Sequence, residues 1–162
     1  MVLSTGYNKT RVAVFISGTG SNLKSLIKFS KTNKSPISIE FIISNNPKAK
    51  GLRYAKSYNI KKRVINFNNK NLTENNLLSI LKNNNIELIC LAGFLKILSK
   101  NFIKKFKGKI LNIHPSLLPK YKGLNTHERV IKMREKYSGC TIHFVTERID
   151  SGKIIMQKKV RL

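Results

Sequence analysis

Arg11-Val12-Ala13-Val14-Phe15-Ile16-Ser17-Gly18-Thr19-Gly20-Ser21-Asn22 is the stretch whose reading decides the fold. From Val12 to Ile16 every residue is apolar, the pattern of a strand buried on both faces, as parallel sheets require. The run stops at two glycines, and Leu23, Leu26 and Ile27 then recur at helical spacing. A buried strand, a glycine turn and an amphipathic helix form the opening unit of an α/β protein.

The alternation continues along the chain. Further strands are expected at residues 37–44, 63–67, 86–92, 109–111, 140–145 and 153–157. Helices are expected at residues 49–58, 72–81, 100–106 and 126–135, with Thr73 as a cap for the second of them. Strands alternating with helices imply a doubly wound, mostly parallel central sheet flanked by helices. The 162 residues contain no repeat and no linker, so one domain over residues 1–162 is expected.

Composition narrows the classes. No apolar run approaches the roughly 20 residues of a membrane span. The polar start, Met1 to Thr10, lacks the apolar centre of a signal peptide, so a cytoplasmic protein is expected. Cys90 and Cys140 stand in apolar contexts and read as reduced core cysteines, and no spacing suggests a metal site. Lys and Arg number 32 against 7 Asp and Glu, a net charge of +25. That charge is spread along the chain without an aromatic-interleaved patch, and Lys and Asn abound throughout. Compositional drift accounts for it better than a nucleic-acid site. Nothing in the sequence sets an oligomeric state.

The chemistry centres on Asn112-Ile113-His114-Pro115-Ser116-Leu117-Leu118-Pro119 and, further on, Asp150. The stretch follows the apolar run Lys109-Ile110-Leu111 and ends at prolines that cannot continue a ladder. In an extended chain Asn112 and His114 point the same way. They would sit at a strand's carboxyl end, where open α/β sheets place their ligands. An amide donor beside an imidazole suits a reaction that passes through a tetrahedral oxyanion. His127 and His143 read as structural, one opening a helix and the other alternating with apolar residues. The loop from Ser17 to Asn22 reads in two ways, as an anion cradle at a helix N-terminus or as a tight turn with a cap.

Four blocks resemble the folate-dependent formyltransferases. They are Ile16 to Leu23, Leu91 to Leu98, Asn112 to Leu124, and Ile142 to Thr146 with Asp150-Ser151-Gly152. The first block, with Leu124-Asn125-Thr126-His127, is most similar to the branch of that family acting on glycinamide ribonucleotide. The resemblance implies transfer of a formyl group from 10-formyltetrahydrofolate, as co-substrate, to the ribonucleotide's amine in purine synthesis. It implies Asn112, His114 and Asp150 as catalytic residues and Gly20, Ser21 and Asn22 as the phosphate cradle. It implies a folate site at Leu95, Lys96, Ile97 and Leu98, completed by Asn112, and small-molecule substrates only.

The chain departs from the family pattern in three places. Lys96 stands where an Arg is common, which removes a bidentate fork. Lys122 stands where a Pro is usual, and the family's final strand and helix lie beyond Leu162. Three other readings share parts of the pattern: a methionyl-tRNA formyltransferase, a formyltetrahydrofolate hydrolase, and a folate- or nucleotide-binding module without turnover. The first would carry a Gly-Thr-Pro loop where this chain has Gly18-Thr19-Gly20.

Overall fold

The computed structural model of the protein describes residues 8–67 and 69–162. The expectation of a polar, leaderless start rests mainly on residues 1–7, outside the described residues. The main elements are β1 (Thr10–Ile16), α1 (Ser21–Ser30), β2 (Ile37–Ser44), α2 (Arg53–Ser57), β3 (Lys61–Val64) and α3 (Lys70–Asn83). They continue with β4 (Leu88–Leu91), α4 (Lys100–Lys105), β5 (Lys109–His114), α5 (Thr126–Lys132), β6 (Tyr137–Phe144) and β7 (Ile154–Arg161).

The seven strands form one sheet in the order β3-β2-β1-β4-β5-β6-β7. Strands β1 to β5 are parallel, and β6 and β7 add antiparallel at one edge. The strand order reverses between β1 and β4, the switch point at which such sheets open a crevice. The expected α/β, doubly wound, mostly parallel sheet is therefore the observed one.

Strand alternation divides the core in two. Ala13, Phe15, Ile43 and Ile89 face α3 and α4, where Leu77, Leu81 and Phe102 meet them. Val12, Val14, Ile16 and Ile42 face the other way, onto Leu23 and Ile27 of α1 and Ala55 of α2. Each fully buried aliphatic or aromatic side chain contributes about 1.5–3 kcal/mol. Burial on both faces explains why β1 reads as a continuous apolar run rather than an alternating one.

Several boundaries differ from expectation. The helix expected at residues 49–58 is a 3-10 turn, Lys50–Leu52, followed by the five-residue α2. β3 begins two residues earlier than expected, because pairing of Lys61 with Phe41 and of Val64 with Ser44 sets its register. All four of its residues are exposed, so its apolar neighbours misplaced it. Helix α3 is capped by Asn69, whose side chain accepts from the Leu72 amide at 3.2 Å. Thr73 lies inside the first turn instead, and its hydroxyl donates to the Asn66 carbonyl at 2.7 Å. α5 ends at Lys132, and Arg134 adopts a left-handed φ of 50° just beyond it.

Candidate active site

β5 extends through His114 rather than stopping at Leu111, so Asn112 and His114 are ladder residues. In the antiparallel register with β6, Asn112 lies opposite His143 and His114 opposite Thr141. The turn after β6 returns Asp150 to the same place, with a left-handed φ of 46° that Asp tolerates better than most residues. The neighbouring strand residues Asn112 and His114 and the distant Asp150, the three expected catalytic residues, thus meet on one side of the sheet.

Asp150 is the hub of this cluster. One carboxylate oxygen lies 3.3 Å from His114 Nδ1 and accepts from the Gly123 amide at 2.8 Å. The other lies 3.6 Å from His143 Nε2, beyond hydrogen-bond distance. Burial by itself would raise the Asp150 pKa. Contact with His143, the Gly123 amide and the charge each histidine carries when protonated outweigh burial and hold the carboxyl below its ordinary value.

Hydrogen-bond inventory assigns the rings. His114 Nε2 faces the Tyr121 carbonyl at 2.8 Å, so that nitrogen donates. Its Nδ1 faces the carboxylate, and only a ring carrying both protons satisfies two acceptors with N–H groups. His143 Nδ1 faces its neighbour's carbonyl, Phe144 O, at 2.9 Å and donates to it. In the neutral ring Nε2 is then an acceptor, which the Asn112 amide nitrogen meets at 3.1 Å. That contact fixes which way the Asn112 amide turns and leaves its second N–H for an incoming oxygen. His114 and His143 are 5% and 2% exposed, so these groups interact in a poorly screened environment.

The proline frame serves the cluster. Thr141 Oγ1 donates to the Ser116 carbonyl at 2.6 Å and accepts from the Leu118 amide at 3.0 Å. Ser116 Oγ donates to the Lys120 carbonyl at 2.7 Å. Beyond the frame, Tyr121 takes a left-handed φ of 56° and turns its carbonyl onto His114. Arg129 Nη1 donates to the Lys122 carbonyl at 2.7 Å, and Lys122 Nζ donates to Ser151 at 2.7 Å. Lys122, which stands where the family pattern has Pro, therefore ties its loop to the turn that carries Asp150.

The glycine loop is built differently. Gly20 caps α1 at φ 78°, and no side chain closes the helix start. A Cβ on Gly20 would lie 2.7 Å from Gly51 Cα, so glycine is required there by packing as well as by φ. Ser21 and Asn22 are exposed, and the first turn of α1 contains no acid. Its amides are available to an anion, and the helix end favours negative charge.

The residues expected at the folate site fall into two groups. Leu95 and Ile97 are 65% and 62% exposed, unusual for large apolar side chains, and Lys96 is exposed between them. Leu98 is buried in the core with Phe102, so its side chain does not line a site. Leu95 and Lys96 border a cavity of about 380 Å³, whose other walls are Ser17, Asn45, Asn46, Asn66 and Phe67.

Other residues are placed as follows. His127 is exposed in the first turn of α5. Cys90 and Cys140 are unpaired, and burial pushes the Cys90 thiol up to about 11. Among the described residues no group of three or more His, Cys, Asp or Glu side chains is arranged to hold a metal ion, and no helix is long and apolar enough to cross a membrane. Sequence reasoning missed His143. Its position shows only once β6 is paired with β5, although its alternation with Thr141 put it on the right face.

A doubly wound sheet with a partly buried Asn–His–Asp cluster at the carboxyl end of β5 defines an α/β domain with its polar groups gathered at one strand end. The chain belongs to the formyl transferase family, whose sequence profile matches residues 10–162. It is 44% identical over 153 residues to the phosphoribosylglycinamide formyltransferase of Haemophilus influenzae, covering 93% of this chain and 72% of the relative. It is 46% identical to the chicken trifunctional purine biosynthetic protein adenosine-3, covering 94% of this chain and spanning only 16% of that protein's length. The crystal structure of phosphoribosylglycinamide formyltransferase from Anaplasma phagocytophilum superposes with a TM-score of 0.89 at 44% identity. That match covers 96% of this chain and 73% of the other.

Proposed function

We propose that the protein transfers the formyl group of 10-formyltetrahydrofolate to the primary amine of glycinamide ribonucleotide, a step of purine biosynthesis. The observation that carries this reading is the His114–Asp150 contact beside an oriented Asn112 amide. The likeness to phosphoribosylglycinamide formyltransferases supports the choice of substrates.

The amine attacks the formyl carbon and a new C–N bond forms. The formyl oxygen becomes an oxyanion, for which the second N–H of Asn112 and the N–H at His114 Nε2 are donors. In the absence of substrate that His114 N–H is occupied by the Tyr121 carbonyl, so the oxyanion must share or displace that contact. The bond from the carbon to the folate nitrogen then breaks, and the proton shed by the amine ends on that nitrogen through His114. Asp150 stabilises the imidazolium by direct contact at 3.3 Å, without an intervening water.

Gly20, Ser21 and Asn22 hold the ribonucleotide phosphate through backbone amides at the start of α1. Leu95, Lys96 and Ile97 face the folate, with Lys96 supplying a point charge rather than a fork for its carboxylates. Leu98 contributes backbone only, and Asn112 serves both substrates. A cytoplasmic setting and a single catalytic domain accord with this reading.

A spectrophotometric assay with 10-formyltetrahydrofolate, with and without glycinamide ribonucleotide, tests the proposal. Folate product that forms only with the ribonucleotide supports it. Product without the acceptor would replace it with a hydrolase, and transfer to charged initiator tRNA alone would replace it with a tRNA enzyme.

A further inference from the structure

Glu74 is one of the chain's 7 acidic residues, and it is only 3% exposed on the inner side of α3. A carboxylate so deeply placed costs free energy unless something in the interior uses it. Its Oε1 accepts from the Ser99 amide at 2.8 Å. Ser99 opens α4, and its own side chain accepts from the Phe102 amide at 3.0 Å, so the two acceptors together close that helix start. Four residues earlier, the Leu95 amide donates to Ser17 Oγ at 2.8 Å. Ser17 is held in turn by its amide on the Gly93 carbonyl at 2.9 Å and by its hydroxyl on Asn45.

The connection from β4 to α4 is therefore strung between two buried side chains from other parts of the chain. Between these posts Leu98 anchors in the core while Leu95, Lys96 and Ile97 point outward. Three exposed side chains in a row have little packing of their own to fix them. Their placement depends on where the segment's ends are held.

We propose that Glu74 is a positioning residue of the formyl-folate site: its carboxylate, through the Ser99 amide, fixes the far end of the segment Leu95–Leu98. The statement rests on the assignment of that segment to folate, whereas the tether itself does not. Glu74 touches neither substrate. Its loss weakens folate binding without altering the Asn112, His114 and Asp150 cluster.

The test compares Glu74→Leu, which fills the volume and removes the acceptor, with Glu74→Gln, whose amide oxygen can still accept. Two readouts are needed: steady-state kinetics with both substrates, and hydrogen exchange of the Leu95 to Ser99 amides in the free protein. In Glu74→Leu the KM for 10-formyltetrahydrofolate rises about tenfold, the effect of one lost hydrogen bond to a charged acceptor. The KM for the ribonucleotide and kcat at saturation stay within about twofold, and Glu74→Gln restores most of the folate KM. Exchange at the Ser99 amide accelerates in Glu74→Leu while amides of β1 and β5 keep their protection.

Unchanged folate KM, or equal rises in both KM values, would overturn the proposal. Failure of Glu74→Gln to rescue in a folded protein would do the same. If Glu74→Leu does not fold, Glu74→Gln with Ser99 exchange unchanged and folate KM raised tenfold also overturns it. Accelerated Ser99 exchange in a protein whose wild type does not bind formyl-folate would leave the tether standing and discard the folate assignment instead.

Discussion

The Asn112–His114–Asp150 cluster and the Gly20–Asn22 loop lie on the same domain but solve different problems. In the cluster each side chain is held by a partner before substrate arrives: His114 by Tyr121 and Asp150, Asn112 by His143 through one N–H, Asp150 by Gly123. In the loop the side chains of Ser21 and Asn22 are exposed, no side chain caps α1, and the backbone amides are the groups turned to the helix start. On the proposed reading, the first works by holding side chains in fixed orientations at a partly buried strand end. On the same reading, the second works by the shape of a main chain that Gly20 permits. Substitutions should therefore act on turnover in the first region and on stability or ribonucleotide affinity in the second.

The largest effect expected is in the cluster. His114→Ala and Asp150→Asn should each lower turnover by at least about a hundredfold, the common cost of losing an oxyanion-stabilising contact. Circular dichroism and an unchanged ribonucleotide affinity would show that the fold persists. Near-normal turnover in either variant would remove that residue from the mechanism.

Gly20→Ala should act on stability first. The new Cβ would lie 2.7 Å from Gly51 Cα at a left-handed φ, and both the contact and the conformation oppose it. A loss of about 2–4 kcal/mol in unfolding free energy is expected. A denaturation curve matching wild type would show that the loop is looser than its packing against Gly51 implies.

Asp150 links the comparison to pH. Because its folded pKa is lowered, its contribution to stability is complete above the unfolded value of about 3.9. That contribution is lost as pH falls through the lower folded value. Wild type should accordingly lose stability more steeply than Asp150→Asn below about pH 4. Urea unfolding of both proteins across an acid series measures the difference, and parallel slopes would contradict the lowered pKa.

The smallest effect is expected from Ser21→Ala. If the phosphate is held by main-chain amides, losing this exposed hydroxyl should raise the ribonucleotide KM by roughly threefold or less. A rise of two decades would mean that the side chain, not the backbone, carries the site, and the contrast between the two regions would weaken.

The sequence alone determined the α/β class, because burial on both faces forces β1 into an unbroken apolar run and glycines mark its end. It determined Asn112 and His114 as candidates, because residues two apart in an extended chain share a face and the flanking prolines fix where that chain stops, while Asp150 entered through the resemblance to the formyltransferases. It misplaced β3 and the cap of α3, where exposed residues carry little hydrophobic signal and hydrogen bonding sets the boundary. It could not give His143 its place, since a partner opposite Asn112 exists only once β5 and β6 are paired in register. Nor could it show that Leu98 turns into the core while Leu95 and Ile97 turn out, or that Glu74 reaches the Ser99 amide. Contacts between residues distant in sequence follow from packing the helices onto the sheet, and that packing, a property of the whole chain, decided them.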